Sequence, residues 1–333
     1  MVQGQSKYRL DRGFGVEWDG GMRKARYKLK GEGYYYLRTE TLGGMIRFSA
    51  EEREFLMRLA VRASEFTGVD VLECAVLPTG IQLVVVADPK ERADTGAAEL
   101  VARYRALYGG AVGCLGYDAD QLEQVLAKGG ADAREARRVL LARMHDISQL
   151  MKTIKQRFTS WYNRRHNRRG TLWTDRFQSV LLEPQPNTVG WYRASVQSAP
   201  VRAGEVFDPY DYRWSTAGPG GWRGIRCFSL RRELRAWTAR AVEEALSWLL
   251  APTSQIAQIK GNRCPPRELE AALARRVIAG SEAFVRRHQA RWSGVRQAVP
   301  IEEVGTSLWA ARGWRRRLLG YGLTESELEK REE

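Results

Sequence analysis

A chain of 333 residues, 44% hydrophobic and carrying 11 Trp, has the apolar surface for a real core and the length for two domains, which excludes a disordered protein. Charged residues make up 28% and the mean hydropathy is −0.45, and no apolar run approaches the ~20 residues that span a bilayer. Lys and Arg outnumber Asp and Glu by 54 to 39, a formal +15.

The opening MVQGQSKYRLDRGFG has no apolar stretch of signal-peptide type. Residues 1–29 read as a basic N-terminal arm. Tyr34–Thr39 then reads as a strand. Ser49 followed by Glu52 forms a capping box, which opens a helix through Thr67 with Phe55, Leu56, Leu59, Ala60 and Ala63 on one face. Val69–Leu77 and Ile81–Ala87 are β-branched apolar runs separated by Pro78-Thr79-Gly80, and so read as antiparallel neighbours.

Residues 95–160 read as mostly helical. Glu99–Tyr108 stops at Gly109-Gly110, Asp118–Lys128 stops at Gly129-Gly130, and Asp132–Tyr162 reads as one long basic helix. Phe177–Leu182 is a further predicted strand. Asn187–Ser198 is predicted as a short helix stopping before Pro200, and residues 208–225 as the exit from the first domain. Beyond it, Ser229–Leu250 reads as an amphipathic helix with Leu230, Leu234, Trp237, Ala241, Ala245 and Trp248 in line. Arg267–Ala279, Ser281–Trp292 and Thr306–Leu319 are predicted helices, and the tail from Glu325 is acidic. This gives three units: the arm, residues 30–216 with a helical insertion at about 92–144, and a helical C-terminal domain over 217–333.

The charge excess is local. Residues 1–30 carry +5, 151–180 carry +7 and 281–320 carry +5, leaving −2 for the other 233. A localised excess favours a polyanion-binding surface, with nucleic acid ahead of an acidic protein, and with no membrane partner because no helix pairs the charge with a lipid-binding face. The run Met151–Trp173 interleaves Lys152, Lys155, Arg157, Arg164, Arg165, Arg168 and Arg169 with Phe158, Trp161, Tyr162 and Trp173. Guanidinium groups take phosphates bidentately while aromatic faces stack on unpaired bases. Ile154, Phe158 and Trp161 have core spacing, whereas Arg164–Arg169 reads as phosphate contact, with Arg176 and Arg202 further DNA-binding candidates. The four cysteines (Cys74, Cys114, Cys227 and Cys264) lack CxxC spacing, Cys74 reads as a buried free thiol, and a reducing, cytoplasmic setting fits them.

In that run, NRRHNRRGTLWTDRFQSVL, together with Pro200–Gly204 (PVRAG) and Asp211–Ser215 (DYRWS), the chain resembles the REP-associated single-tyrosine transposases, relatives of insertion-sequence enzymes that cut and rejoin single-stranded DNA. The resemblance covers about residues 30–216, with Val277–Phe284 similar to a segment that follows this domain in larger members. It implies an α+β fold: a ferredoxin-like antiparallel sheet with helices, the HUH-endonuclease-like core. It also implies a His-hydrophobic-His strand that holds Mg²⁺ or Mn²⁺ at the scissile phosphate, a helical tyrosine that forms a 5′-phosphotyrosine, and a polar ligand four residues after it. Pairing of two copies is common in the family, so a homodimer is one expectation.

The resemblance puts the two histidines at Gly80 and Gln82, the tyrosine at Ser195 and the later ligand at Ala199. Gly and Ala have no side-chain donor, and an amide is a weak neutral ligand. No catalytic residue or bound metal is therefore expected. What the resemblance then implies is a DNA-binding protein for hairpins or single strands, salt-sensitive and without strand transfer. Two alternatives are an active nicking enzyme rebuilt around Tyr192 or Ser195 with Gln82, and a protein-interaction subunit using the Trp-rich C-terminal helices. His145, His166 and His288 lack metal-ligand spacing and read as satisfied or solvent-facing. The pairs Glu51-Glu52 and Glu302-Glu303 read as capping and surface solvation.

Overall fold

The computed structural model describes residues 26–174, 176–219, 232–250, 276–291, 295–300 and 308–313. Most of the basic arm, the strongly basic run Arg315–Arg317 and the acidic tail lie outside them, as do Cys227 and Cys264.

Seven strands form one sheet: β1 (Gly33–Glu40), β2 (Asp70–Leu77), β3 (Gly80–Ala87), β4 (Gln178–Leu182), β5 (Arg276–Gly280), β6 (Val295–Pro300) and β7 (Trp309–Gly313), in the order β2-β3-β1-β4-β5-β7-β6. The first four strands are all antiparallel, with Tyr36 opposite Val84 on one side and Val180 on the other. β5 joins β4 in parallel, and β7 and β6 follow antiparallel. The helices are α1 (Ala50–Thr67), α2 (Ala97–Tyr108), α3 (Ala119–Lys128), α4 (Gly130–Leu141), α5 (Ile147–Arg165), α6 (Pro186–Arg202), α7 (Arg232–Trp237), α8 (Ala239–Leu249) and α9 (Glu282–Arg291).

Strand alternation divides the core into two layers. Tyr35, Leu37, Ile81, Leu83, Val85 and Leu181 face α1, α2 and α5, with Leu56, Phe66, Ile154 and Phe158 fully buried against them. Tyr34, Tyr36, Val84, Val86, Val180 and Leu182 face the other way, onto α6 and α8. The expected capping box is present: Ser49 Oγ accepts from Glu52 N, Glu52 accepts from Ser49 N, and the helix ends at Gly68 with φ +66°. Cys74 is buried, its Sγ 3.6 Å from Met57 Sδ.

The structure corrects several expected elements. The single helix over Asp132–Tyr162 is two, α4 and α5. Between them His145 takes φ +48°, its N–H donates to Thr67 O at the end of α1, and Asp146 caps α5 through Ser148 N and Gln149 N. The helix at Asn187–Ser198 runs instead from Pro186 to Arg202. Pro200 falls in its last turn and does not end the helix; the stop is Gly204 at φ +72°. Residues 212–216 do not leave the domain. Tyr212 Oη donates to Val76 O, Val76 N donates to Trp214 O, and Ser215 bridges to Ala75, so the stretch covers the exposed edge of β2.

Three further readings change after residue 217. The amphipathic helix is broken at Thr238 into α7 and α8, and Trp237 is 41% exposed; Leu230 lies outside the described residues. The helices expected at Arg267–Ala279 and Thr306–Leu319 are strands over 276–280 and 309–313; their remaining parts lie outside the described residues. The described C-terminal residues are therefore not all helical. Ile278 and Ala279 pair with Leu181 and Leu182 along the free edge of β4, and sheet pairing there outweighs the helical propensity of the alanines.

Candidate nucleic-acid interface and the strand–helix site

α5 buries Ile147, Leu150, Met151, Ile154, Phe158 and Tyr162 and exposes Lys152, Gln156, Arg157, Ser160, Arg164 and Arg165. The chain then makes a tight basic turn. Asn163 Nδ2 donates to Gly170 O at 3.0 Å, Asn167 takes φ +45° and Gly170 φ +93°. Arg164, Arg165, Asn167 and Arg169 project from that turn and are exposed. Trp173 anchors its far side, donating from Nε1 to Thr159 Oγ1 at 2.9 Å.

The candidate cations separate by what they already hold. Lys152, Arg164 and Arg169 are exposed and have no ion pair or hydrogen-bond partner among the described residues. Arg157 is exposed with its guanidinium 4.8 Å from the Tyr108 ring centroid, and Lys155 lies 5.7 Å from that of Trp173. Arg176 is exposed. Arg165 is ion-paired with Glu51. Arg168 donates to Asn163 Oδ1 and Thr171 O, both at 3.1 Å, and so helps to build the turn. Arg202 is half-buried and donates to Ser195 O at 2.8 Å and to Ser198 Oγ, fastening the end of α6.

Gly80, Gln82, Ser195 and Ala199 all lie toward one interlayer. Alternation along β3 puts Gly80 and Gln82 on the same face as Val84, the face α6 covers, and Tyr192 of α6 packs on Tyr36 with ring centroids 5.3 Å apart. Ser195 and Ala199 follow Tyr192 at spacings of three and seven, on its stripe. The interlayer is closed. Tyr192 is 0% exposed and Gln82, Ser195 and Ala199 are each 2% exposed. Every residue from Thr188 to Pro200 is buried because α8 packs on the outer side of α6, where a Cβ on Gly190 would strike Ala241. Burial pushes the Tyr192 hydroxyl far above its ordinary range.

These residues do not suit a divalent cation. Gly80 and Ala199 supply no donor, and Gly80 is fixed for a second reason: a Cβ there would run into the Thr39 carbonyl oxygen on β1. An imidazole at this position would first have to push two paired strands apart. Gly80→Ala is expected to cost about 1–3 kcal/mol by overpacking, read as a lowered denaturant midpoint. An unchanged midpoint would show that β1 yields freely. Among the described residues no group of three or more His, Cys, Asp or Glu could hold a metal.

The interlayer does contain one carboxylate, which the sequence reading missed. Glu73 on β2 is 0% exposed; its Oε2 accepts from Arg193 Nε at 3.1 Å, Arg193 Nη2 at 3.0 Å and Gln197 Nε2 at 2.7 Å, and its Oε1 accepts from Thr216 Oγ1. Arg193 also donates to Arg235 O at 3.0 Å and to Thr238 Oγ1. The one signal for this network was Arg193, the only charged residue of α6 before its last turn.

The histidines are spread over the molecule. His166 pairs with Glu52 and stacks on Tyr162, ring centroids 4.2 Å apart. His288 Nδ1 lies 2.8 Å from Tyr27 Oη. His145 is neither solvent-facing nor satisfied: it is 2% exposed and neither ring nitrogen is hydrogen-bonded.

The order β2-β3-β1-β4, all antiparallel, with α1 and α5 on one face, defines an α+β protein with a ferredoxin-like core. Among solved structures, a REP-associated tyrosine transposase bound to a REP hairpin is similar over 62% of this chain and 88% of that one, at 15% identity and a TM-score of 0.36. That similarity is low, and the architecture rests on the strand order itself. No family model matches the chain, and no curated protein matches it. No described helix is long and apolar enough to cross a membrane.

Proposed function

We propose that this chain is a DNA-binding protein of single-tyrosine transposase type, one that grips hairpin or single-stranded DNA and does not cut it. The observation that carries the proposal is the trio Lys152, Arg164 and Arg169, exposed and unpartnered among the described residues on the most basic stretch of the chain. Two free cations on the turn and a third earlier on α5 favour phosphate contact. The proposed DNA-contacting unit is residues 30–216, with the basic arm as an additional contact. Loss of strand transfer is supported by the buried, donor-poor interlayer, where neither Tyr192 nor Ser195 reaches solvent. Grip of this kind needs no metal.

The test is fluorescence anisotropy with a labelled DNA hairpin carrying a single-stranded flank. R164E/R169E is expected to lower affinity at least tenfold and to flatten the dependence of log affinity on log salt. Unchanged affinity would overturn the DNA assignment. On a denaturing gel with Mg²⁺ or Mn²⁺, neither cleavage nor a covalent protein–DNA band is expected. A metal-dependent product abolished by Tyr192→Phe would establish a rebuilt centre instead.

A further inference from the structure

The outer face of the helical layer carries a second group of cations, which the basic turn does not include. α1 and α5 lie side by side and run antiparallel. Glu51 meets Arg165 at one end, and further along Phe55 stacks on Trp161, ring centroids 4.0 Å apart and planes 9° from parallel. Past that stack, α1 presents Arg58 and Arg62 and α5 presents Arg157, all exposed. Arg58 and Arg62 are one helical turn apart and so share a face.

Glu54 takes both Arg58 at 3.1 Å and Arg213 at 3.3 Å. Arg62 has no acidic partner among the described residues. Glu51 faces Arg165, whose guanidinium also lies 5.7 Å from the Trp161 ring centroid. The surface is thus a strip of arginines beside a half-buried aromatic pair, joined to the basic turn through Arg165.

We propose that this α1–α5 seam is a second contact for the DNA phosphate backbone, with Arg58, Arg62 and Arg157 as its cations. Glu51 acts on it as a competitor: while its carboxylate holds Arg165, a phosphate must displace it, which weakens non-specific binding. The inference rests on the DNA-binding reading above and extends the contact beyond the turn.

The same labelled hairpin tests it across a salt titration. R58E/R62E is expected to lower affinity about tenfold or more and to reduce the salt slope by more than one, since each lost phosphate contact removes about 0.7–0.9. E51Q is expected to raise affinity severalfold and steepen the slope by close to one contact, a gain that misfolding cannot imitate. R134E/R240E, the same charge change on α4 and α8, is expected to leave affinity within a factor of three. If wild type binds and R164E/R169E weakens it, while R58E/R62E and E51Q leave affinity and slope unchanged, the seam is not a contact. An effect of R134E/R240E equal to that of R58E/R62E would also refute it. If wild type binds no hairpin, the DNA reading itself falls.

Discussion

Replacing Arg193 by Met is expected to destabilise the protein by about 3–5 kcal/mol. Two ions taken from water lose hydration worth several kcal/mol each, and only mutual attraction with complete hydrogen bonding offsets that loss. Arg193 and Glu73 meet this condition. Both are essentially buried, and Glu73 accepts from Arg193, Gln197 and Thr216. Removing the guanidinium leaves a carboxylate inside a protein layer with only neutral donors. Glu73→Gln should cost a similar amount by stranding Arg193. In a double-mutant cycle the pair R193M/E73Q should lose less than the sum of the singles, because no uncompensated ion remains. Urea unfolding of the four proteins measures this. A cost below about 1 kcal/mol for R193M would mean that water reaches Glu73. The same network helps α6 to be buried all round: Arg193 and the Gln197 amide nitrogen are matched to Glu73 on β2, and Arg193 also to Arg235 and Thr238.

The first half of the fold was legible because its signals are local. A capping box starts α1, Gly68 stops it, and two β-branched runs around Pro78-Thr79-Gly80 give β2 and β3. The break at 142–146 was missed because it contains neither Gly nor Pro; the visible clue was Asp146, a good N-cap inside a basic run. β5 and β7 were read as helices because Arg-Val-Ile-Ala-Gly and Trp-Ala-Ala-Arg-Gly carry no strand alternation, and the free edge of β4 is information no short window holds. At the candidate interface, type was easier to read than role. Arg164 and Arg169 point outward as expected, whereas Arg168 and Arg202, read as DNA contacts, are bound to neighbouring carbonyls and side chains. Their partners lie only three to seven residues away in the chain. Which carbonyl or side chain a guanidinium reaches is set by the geometry of the turn or helix end, and charge spacing does not report it.

Acidification should expose the cost of His145. This ring sits against Gly68 at the end of α1, with Glu91 Oε2 3.3 Å from Nδ1. Burial, with Arg103 and Arg92 nearby, holds its pKa down to about 4 against the usual 6.5. Between these values the unfolded chain binds a proton that the folded one does not. Stability is therefore full above about pH 6.5, falls as pH drops toward 4, and levels off for this group below that, a loss of up to about 3 kcal/mol. His288 is also shifted down, by burial first, and adds to the slope in the same direction. Asp146 is held below its ordinary range chiefly by Lys28 against the opposing effect of burial, so its loss comes at more acid pH, in the carboxylate range. The interval from pH 7 to 5 thus isolates the histidines. His145→Asn suits the test, because asparagine tolerates the left-handed φ of +48°. Urea unfolding across that interval should show a steep slope in wild type and a shallow one in the variant, the remainder belonging to His288. Equal slopes would place the acid-sensitive group elsewhere and would mean that His145 gains a proton in the folded state as readily as in the unfolded one.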